Sequence, residues 1–282
     1  MLFSVIVPTC NRNDLLSKCL DRLVQTVQTI KDDYEIIVTD DSKSSEAKAL
    51  VEEKYPSVKW VGGPRKGPAS NRNYGASLAK APWLVFIDDD CIPEKEILAE
   101  YKNAIALYPE SRAFEGTIIP DDWDKLKEDM TECPINTTGG YFWSANICVN
   151  ANLYQEIGGF DQNFLIAAQE DQDIYVRLSK LTKIIFLKES IVVHPVRKIA
   201  LGKKINQIPI ATKNWFIYET KHNAQSVKRT FRMAGSFVVQ FSKGVVKSLL
   251  KGKLKTAVYQ FFLLFVGIPV YLNLSIKNNW NG

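Results

Sequence analysis

Trp83-Leu84-Val85-Phe86-Ile87-Asp88-Asp89-Asp90 is the stretch that decides how this chain is read. Its first five residues are apolar, mostly β-branched or aromatic, and Pro82 and Pro93 bracket it. It is therefore expected to be a buried strand. In an open α/β sheet, ligands are met outside the carboxyl ends of the strands. Three adjacent carboxylates at such an end repel one another, and burial adds to that cost. A divalent cation relieves it, and hard oxygen ligands suit Mg²⁺ or Mn²⁺. If the run stays extended, Asp88 and Asp90 point to one side and can share an ion. The competing reading is a solvated acidic turn that binds nothing.

The flanking sequence repeats the same alternation. Phe3 to Pro8, Tyr34 to Thr39 and Val58 to Val61 read as strands. Helical spacing follows the first of them at Leu15, Leu16, Cys19, Leu20, Leu23 and Val27. Further helices are expected through Ala47 to Val51 and from Ala69 to Ala79. Strands alternating with helices predict an α/β fold, a mostly parallel sheet covered on both faces. Beyond residue 100, strands are expected at Phe114 to Ile119, Ser144 to Val149, Ile184 to Leu187 and Ile191 to Val193. Pro120 to Gly140 reads as a mobile, acidic loop. A helix is expected after Gln169-Glu170-Asp171-Gln172-Asp173.

At 282 residues the chain holds one large domain, or one domain and an appendage. The five cysteines form no CxxC pair and no metal-ligand spacing, so no disulfide framework is expected and a reducing, cytosolic setting is. Met1 runs straight into a strand-like segment, so no secretory signal is expected. The net charge of +5 conceals a division. Glu219 is the last acidic residue, and ten Lys or Arg follow it, leaving the first 219 residues at −5. A nucleic-acid binder carries basic charge on its folded body, so no nucleic-acid partner is expected.

In order, the marks that carry chemistry are Pro8-Thr9, Asp40-Asp41, Asn71-Arg72-Asn73, Asp88-Asp89-Asp90, Gly158-Gly159-Phe160-Asp161, Glu170-Asp171 and His194. Six segments, VIVPTCNR (5–12), EIIVTDDS (35–42), GPASNRNYGASLA (67–79), WLVFIDDDC (83–91), IGGFDQNF (157–164) and QEDQDIYVRL (169–178), resemble the family 2 glycosyltransferases, which have the GT-A fold. The resemblance covers about the first 200 residues. It implies a nucleotide-sugar-binding half over about 1–100 and an acceptor-binding half over about 101–200, within a catalytic domain spanning 1–219.

By the same resemblance, Pro8, Thr9, Arg12, Asp40, Asp41, Arg72, Asp88 and Asp89 serve the donor. Asp41, with Asp40, would accept the imide N–H of uracil; the alternative for Asp40 is a helix N-cap. Arg72 would meet the pyrophosphate, or else form a surface salt bridge. Asp90 would ligate Mn²⁺ or Mg²⁺ directly, with Asp88 and His194 as further metal-site residues. Asp171 would act as general base on the acceptor hydroxyl, with Glu170 and Asp173 as competitors and N-capping as the bland reading. Trp143, Gly159, Phe160 and Asp161 would shape the acceptor side, with Trp143 or Tyr141 stacking on a sugar and a place in the core as the bland reading for both aromatics. The implied reaction is inverting transfer of a hexosyl or N-acetylhexosaminyl group from a nucleoside-diphosphate donor, a UDP-sugar with dTDP not separated from it, to a glycan or lipid-linked acceptor, as in polysaccharide biosynthesis.

From residue 220 to 282 a different character sets in. Arg229 to Lys255 interleaves lysines with Phe231, Phe237, Val238, Phe241, Val245, Val246, Leu249 and Leu250, as in a basic amphipathic helix on an anionic membrane. Val258 to Ile276 is almost wholly apolar and about long enough to span a bilayer. A membrane-associated protein at the cytosolic face is expected, with helices packed on the catalytic domain or in a homo-oligomer interface as the alternative. Rival functions are a nucleotidyltransferase, whose Gly-rich first loop VIVPTCNR lacks, an aspartyl phosphatase, whose Asp-x-Asp-x-Thr run is absent, and a catalytically silent sugar-nucleotide binder.

Overall fold

The computed structural model describes residues 1–44, 46–223 and 226–280. It divides into two compact units, one of Met1–Asp121 with Pro134–Pro195, the other of Asp122–Cys133 with Val196–Gly282. In chain order the N-terminal unit contains β1 (Phe3–Thr9), α1 (Asn13–Leu23), β2 (Tyr34–Asp40), α2 (Glu46–Lys54), β3 (Val58–Gly62), α3 (Pro68–Ser77), β4 (Trp83–Phe86), β5 (Ile92–Pro93), α4 (Ile97–Leu107) and β6 (Ala113–Pro120). After β7 (Thr131–Glu132), which lies in the other unit, it resumes with β8 (Ile147–Asn150), α5 (Ala151–Glu156), α6 (Glu170–Ser179) and β9 (Ile184–His194).

Eight strands form one mixed, mostly parallel sheet in the order β3-β2-β1-β4-β8-β6-β9-β5. The first four are mutually parallel. β8 runs antiparallel between β4 and β6, and β9 is parallel to β6. Period-two alternation sorts the strand residues into two cores. Val5, Val7, Val85 and Ile87 join α1, α2 and α4 on one face. Ile6, Leu84 and Phe86 join α3, α5 and α6 on the other. A strand buried on both faces reads as an unbroken apolar run, which is why β1, β2 and β4 stand out in the sequence. α3 approaches the sheet closely because Gly75 has no Cβ; one added there would sit 2.6 Å from Ile6 Cγ2 and 3.1 Å from Thr39 Cγ2.

Several expectations need correction. β4 stops at Phe86, and Asp88 to Cys91 close a turn, with the Cys91 N–H donating to the Asp88 carbonyl. Asp88 and Asp90 are thus related by a turn rather than by strand alternation. The two late strands are one, Ile184–His194, because pairing with β6 carries it across the exposed Lys188 and Glu189 through an irregularity at Gly116/Thr117. Ser144 to Asn146 form a turn before β8 rather than its first residues. Within the stretch expected to be a mobile loop lie a short 3₁₀ turn (Lys125–Lys127) and β7.

The C-terminal unit adds β10 (Arg197–Lys198), α7 (Leu201–Asn206), α8 (Ile208–His222), α9 (Val227–Leu250), α10 (Leu254–Phe262), a five-residue π-helical turn (Leu263–Gly267) and α11 (Ile268–Trp280). The division expected after residue 219 falls inside α8; the unit begins at Val196 instead. Trp215, Phe237 and Tyr271 bring α8, α9 and α11 together, with ring centroids 4.8 to 5.6 Å apart. Asp129 accepts the Lys255 and Thr256 N–H groups at 2.8 and 3.0 Å, supplying a carboxylate to the N-terminus of α10.

One buried acid organises a whole loop of the N-terminal unit. Glu115, on β6 and 3 % exposed, accepts from the N–H groups of Gly140, Tyr141 and Phe142 and from Asn136 Nδ2 at 2.5 to 3.1 Å. A carboxylate offers about four acceptor sites, and here all serve one turn. Glu115→Ala is expected to strand those donors and remove about 3 kcal/mol of stability, read as a lowered urea midpoint with unchanged slope. A midpoint equal to wild type would show that the loop does not need this acid.

Candidate active site

β1, β2 and β4 end at one rim of the sheet. In register, Thr9 stands opposite Asp40, while Phe86 stands opposite Ile6, so the Asp88–Asp90 turn begins beside the end of β1. The fourth contribution comes from β9. β5 follows the turn at once and pairs with it, Ile92 opposite Val193, so Asp90 and His194 meet from two ends of one antiparallel rung. His194 Nε2 lies 3.4 Å from Asp90 Oδ1, and both residues are almost fully buried.

The three aspartates have separate partners. Asp88 is held 2.7 Å from Arg72. Burial works to raise its carboxyl, but the Arg72 guanidinium outweighs that and keeps it below the ordinary range. Asp89 is fully buried, accepts the Thr9 hydroxyl at 2.6 Å and pairs with Arg12 at 2.5 Å. Burial pushes it up to about 7, against the pull of Arg12 and Thr9. Asp90 also takes Arg12, at 2.9 Å. Arg12 and Thr9, expected to face the donor, therefore spend their side chains on the triplet, and Asp89 is out of the solvent's reach. Nothing in the run DDD distinguishes its middle member; only the turn does.

Arg72 joins this rim to α6. It is 4 % exposed, lies 3.6 Å from Glu170 Oε1 and sits over the Phe160 ring at 5.5 Å. Its Nε and Nη1 have no hydrogen-bond acceptor. A buried guanidinium with idle N–H groups suits an incoming anion. Phe160, expected on the acceptor side, is instead core: 1 % exposed, with Phe86 and Tyr154 around it. Asn73 clamps its backbone from both sides, accepting from the Phe160 N–H and donating to its carbonyl. Gly159 takes φ +66° beside Asn73, and Asp161 accepts from Asn163 in a local turn.

At the start of α6, Glu170 is 2 % exposed and Asp171 half-buried. Burial raises both carboxyls. Their mutual repulsion adds to it for Glu170, while Arg72 opposes it for each. Asp171 is also hydrogen-bonded by Ser144, a partner that sequence reasoning missed, yet its Oδ1 has no donor. Asp173, the other competitor, is buried and paired with Arg177 one turn along, at 2.7 Å. Trp143 and Tyr141 form a tilted ring pair, centroids 4.7 Å apart, with Tyr141 39 % exposed.

The Asp40–Asp41 corner gathers hydrogen-bond acceptors. Asp40 does not cap a helix, since α2 begins at Glu46; its Oδ1 takes the Ser42 N–H and its buried Oδ2 takes nothing. Asp41 accepts the Arg65 N–H at 2.9 Å. A Cβ on Gly63 would fall 2.3 Å from Asp41 Oδ1 and 2.4 Å from Asn71 Oδ1, the latter also without a donor.

The rim fits a hard divalent cation. Among the described residues, Asp88, Asp89, Asp90, Glu170 and Asp171 face two guanidiniums, Arg12 and Arg72. His194 Nδ1 lies 2.9 Å from the Pro195 carbonyl, which can only accept. Nε2 is the ring atom turned to Asp90 Oδ1, a pairing of imidazole and carboxylate that suits a shared cation. The Cys91 sulfur is also within 4.8 Å of these ligand atoms. Burial pushes its thiol well up, and a protonated soft sulfur is a poor ligand for Mg²⁺ or Mn²⁺.

Known proteins agree with this architecture. A validoxylamine A glucosyltransferase of Streptomyces hygroscopicus subsp. limoneus is 26% identical over 223 residues, covering 63% of this chain and 48% of its own. The chain spans about half the length of the curated relatives that it matches first. Among solved structures, the mannosyltransferase PcManGT from Pyrobaculum calidifontis in complex with GDP-Man and Mn²⁺ superposes with a TM-score of 0.59 at 18% identity, over 99% of this chain and 87% of that one. S. aureus TarS 1-349 in complex with UDP-GlcNAc gives 0.58 at 16% identity, over 100% and 92%. Those two likenesses speak for the fold, an α/β GT-A-like sheet. The sequence model of glycosyl transferase family 2 matches residues 4–109, β1 through α4 with the Asp triplet inside it.

Proposed function

We propose that this chain transfers a hexosyl or N-acetylhexosaminyl group from a nucleoside diphosphate to an acceptor hydroxyl, with inversion at the anomeric carbon. The observation that carries the reading is the meeting at one rim of three things: an acidic turn with His194, a buried Arg72 with idle donors, and an acidic helix start at Glu170-Asp171. Asp90 and His194, with Asp88 beside them, would hold Mn²⁺ or Mg²⁺. When bound, the ion neutralises charge on the departing diphosphate. Arg72 binds the same phosphates through Nε and Nη1. Asp40, Asp41 and Asn71 supply acceptors for the N–H edge of the base. Uracil presents one such imide, and a UDP-sugar is the donor this reading favours; guanine presents N–H groups too, and PcManGT holds GDP-Man.

Asp171 takes the proton from the acceptor hydroxyl as its oxygen attacks. Its Oδ1 is the free acceptor for that proton, and Ser144 fixes the carboxylate. Tyr141 and Trp143 give the acceptor sugar a face to stack on. A glycan or lipid-linked saccharide met at the cytosolic face of a membrane fits the basic, apolar C-terminal sequence.

Three outcomes are expected. Asp90→Ala should lose Mn²⁺ binding in calorimetry and lose transfer with it; Mn²⁺ affinity equal to wild type would remove Asp90 from the metal site. Asp171→Asn should keep UDP and Mn²⁺ binding by thermal shift and lose about 10²–10⁴-fold in kcat. Turnover within tenfold of wild type would move the base elsewhere. Because burial raises Asp171, and the base works only when deprotonated, kcat should climb with pH through a value above the ordinary carboxylate pKa of about 4. A profile flat from about pH 4.5 upward, the top of that ordinary range, would mean that an unperturbed group does the work.

A further inference from the structure

We propose that α9 lies in the plane of an anionic lipid surface, with one stripe of its circumference in contact with the acyl boundary and the next in contact with headgroups. This deepens the functional reading by naming the surface that would bring the chain to a membrane, and it is tested without any sugar nucleotide.

At 100° per residue, three stripes run along the helix. Thr230, Ala234 and Ser248 are buried, and with the Phe237 and Phe241 rings they form the inward side. The adjoining stripe carries Phe231, Val238 and Leu249 in line, at 63, 48 and 52 % exposure, with Val246 and Val239 beside it at 57 and 53 %. Phe231 to Leu249 extends about 27 Å. The third stripe carries Arg232, Lys243 and Lys247, all exposed. Among the described residues no ion pair engages these three cations. A recess of about 480 Å³ lies where the second and third stripes meet, lined by Ser242, Lys243, Val246, Lys247, Leu250 and Lys251. Its lining combines the apolar Val246 and Leu250 with Lys243, Lys247 and Lys251, which suits a lipid's own division into chain and headgroup.

Charge chooses the occupant. No acidic residue follows Glu219, while ten basic ones do. A second copy docked by a two-fold axis would set this cationic stripe against itself, and a neutral apolar partner would leave the lysines idle. An anionic bilayer satisfies both stripes together. In-plane attachment also fits the neighbouring helices. Leu254–Lys277 has the length and a mean hydropathy of 1.7 suited to crossing a membrane. It nevertheless keeps Ala257, Ile268, Tyr271 and Ser275 buried against the rest of its unit, packing that a lone spanning helix gives up.

The test is co-sedimentation of the full chain with vesicles of phosphatidylcholine alone and of phosphatidylcholine mixed with phosphatidylglycerol. At least about tenfold tighter binding to the anionic vesicles is expected, weakened by salt. Lys243→Glu with Lys247→Glu should reduce binding about tenfold or more, and Phe231→Ser with Val246→Ser should do so without altering the salt dependence. All four side chains are exposed, and circular dichroism verifies that the helices persist. Equal binding to both vesicle types, or no binding to either, overturns the proposal. So does a concentration-dependent dimer in sedimentation velocity that the Phe231→Ser, Val246→Ser variant dissolves, since the stripe would then belong to a second copy. Vesicle binding with a failed transfer assay would leave this surface standing and remove only the catalytic reading.

Discussion

The Arg72 guanidinium holds the two acidic clusters of the N-terminal unit in one site. Asp88 and Glu170 come from opposite ends of the fold, one after β4 and the other at the first turn of α6. Two carboxylates about 4 Å apart repel by about 4 kcal/mol at an effective dielectric of 20. A cation between them reverses the sign. Everything around Arg72 keeps it there. Gly75 lets α3 sink against β1, Phe160 forms the floor under the guanidinium, and Asn73 fixes Phe160 by its backbone. An arginine so enclosed loses its water. Its idle Nε and Nη1 then become a standing demand for an anion, the condition that ties scaffold to substrate.

What could be read in the sequence follows from which interactions are local. β1, β2 and β4 are buried on both faces and so announce themselves as apolar runs. The acidic turn at Asp88-Asp89-Asp90 and the acidic start of α6 were equally plain, because their charge contrasts with the apolar elements beside them. The division of labour within the triplet was not. Asp89 meets Thr9 and Arg12 while Asp90 also meets His194 because the turn aims them differently, and those partners lie about 80 to 100 residues away. Glu115 falls within the expected strand Phe114 to Ile119, and its four donors come from a loop more than 20 residues on. The polar pair Lys188 and Glu189 hid the continuity of β9, which is set by its pairing with β6.

The C-terminal unit shows the opposite balance. Composition alone separates its basic, acid-free sequence from the rest, but composition places the boundary where charge changes rather than where packing does. α8 crosses that point without a break, and its Trp215 packs with α9 and α11. Packing joins α8 to the helices that follow, although Glu219, the last acid, lies within it. That same glutamate pairs with Arg229 at the start of α9, so the final acid of the chain neutralises one of the ten cations that follow.

The short rung between β5 and β9 has a consequence for how the site evolves and is engineered. Ile92 and Val193 are backbone partners, so the distance between Asp90 and His194 is set by ladder geometry before any ion arrives. As the proposed ligand pair, these two side chains would lose little freedom on capturing an ion. The pairing is also intolerant of length. Deleting or adding one residue between Asp90 and Ile92, or between Val193 and His194, would rotate one partner to the opposite face of the strand. Side chains at this rim can be exchanged one at a time, but the number of links connecting them cannot change.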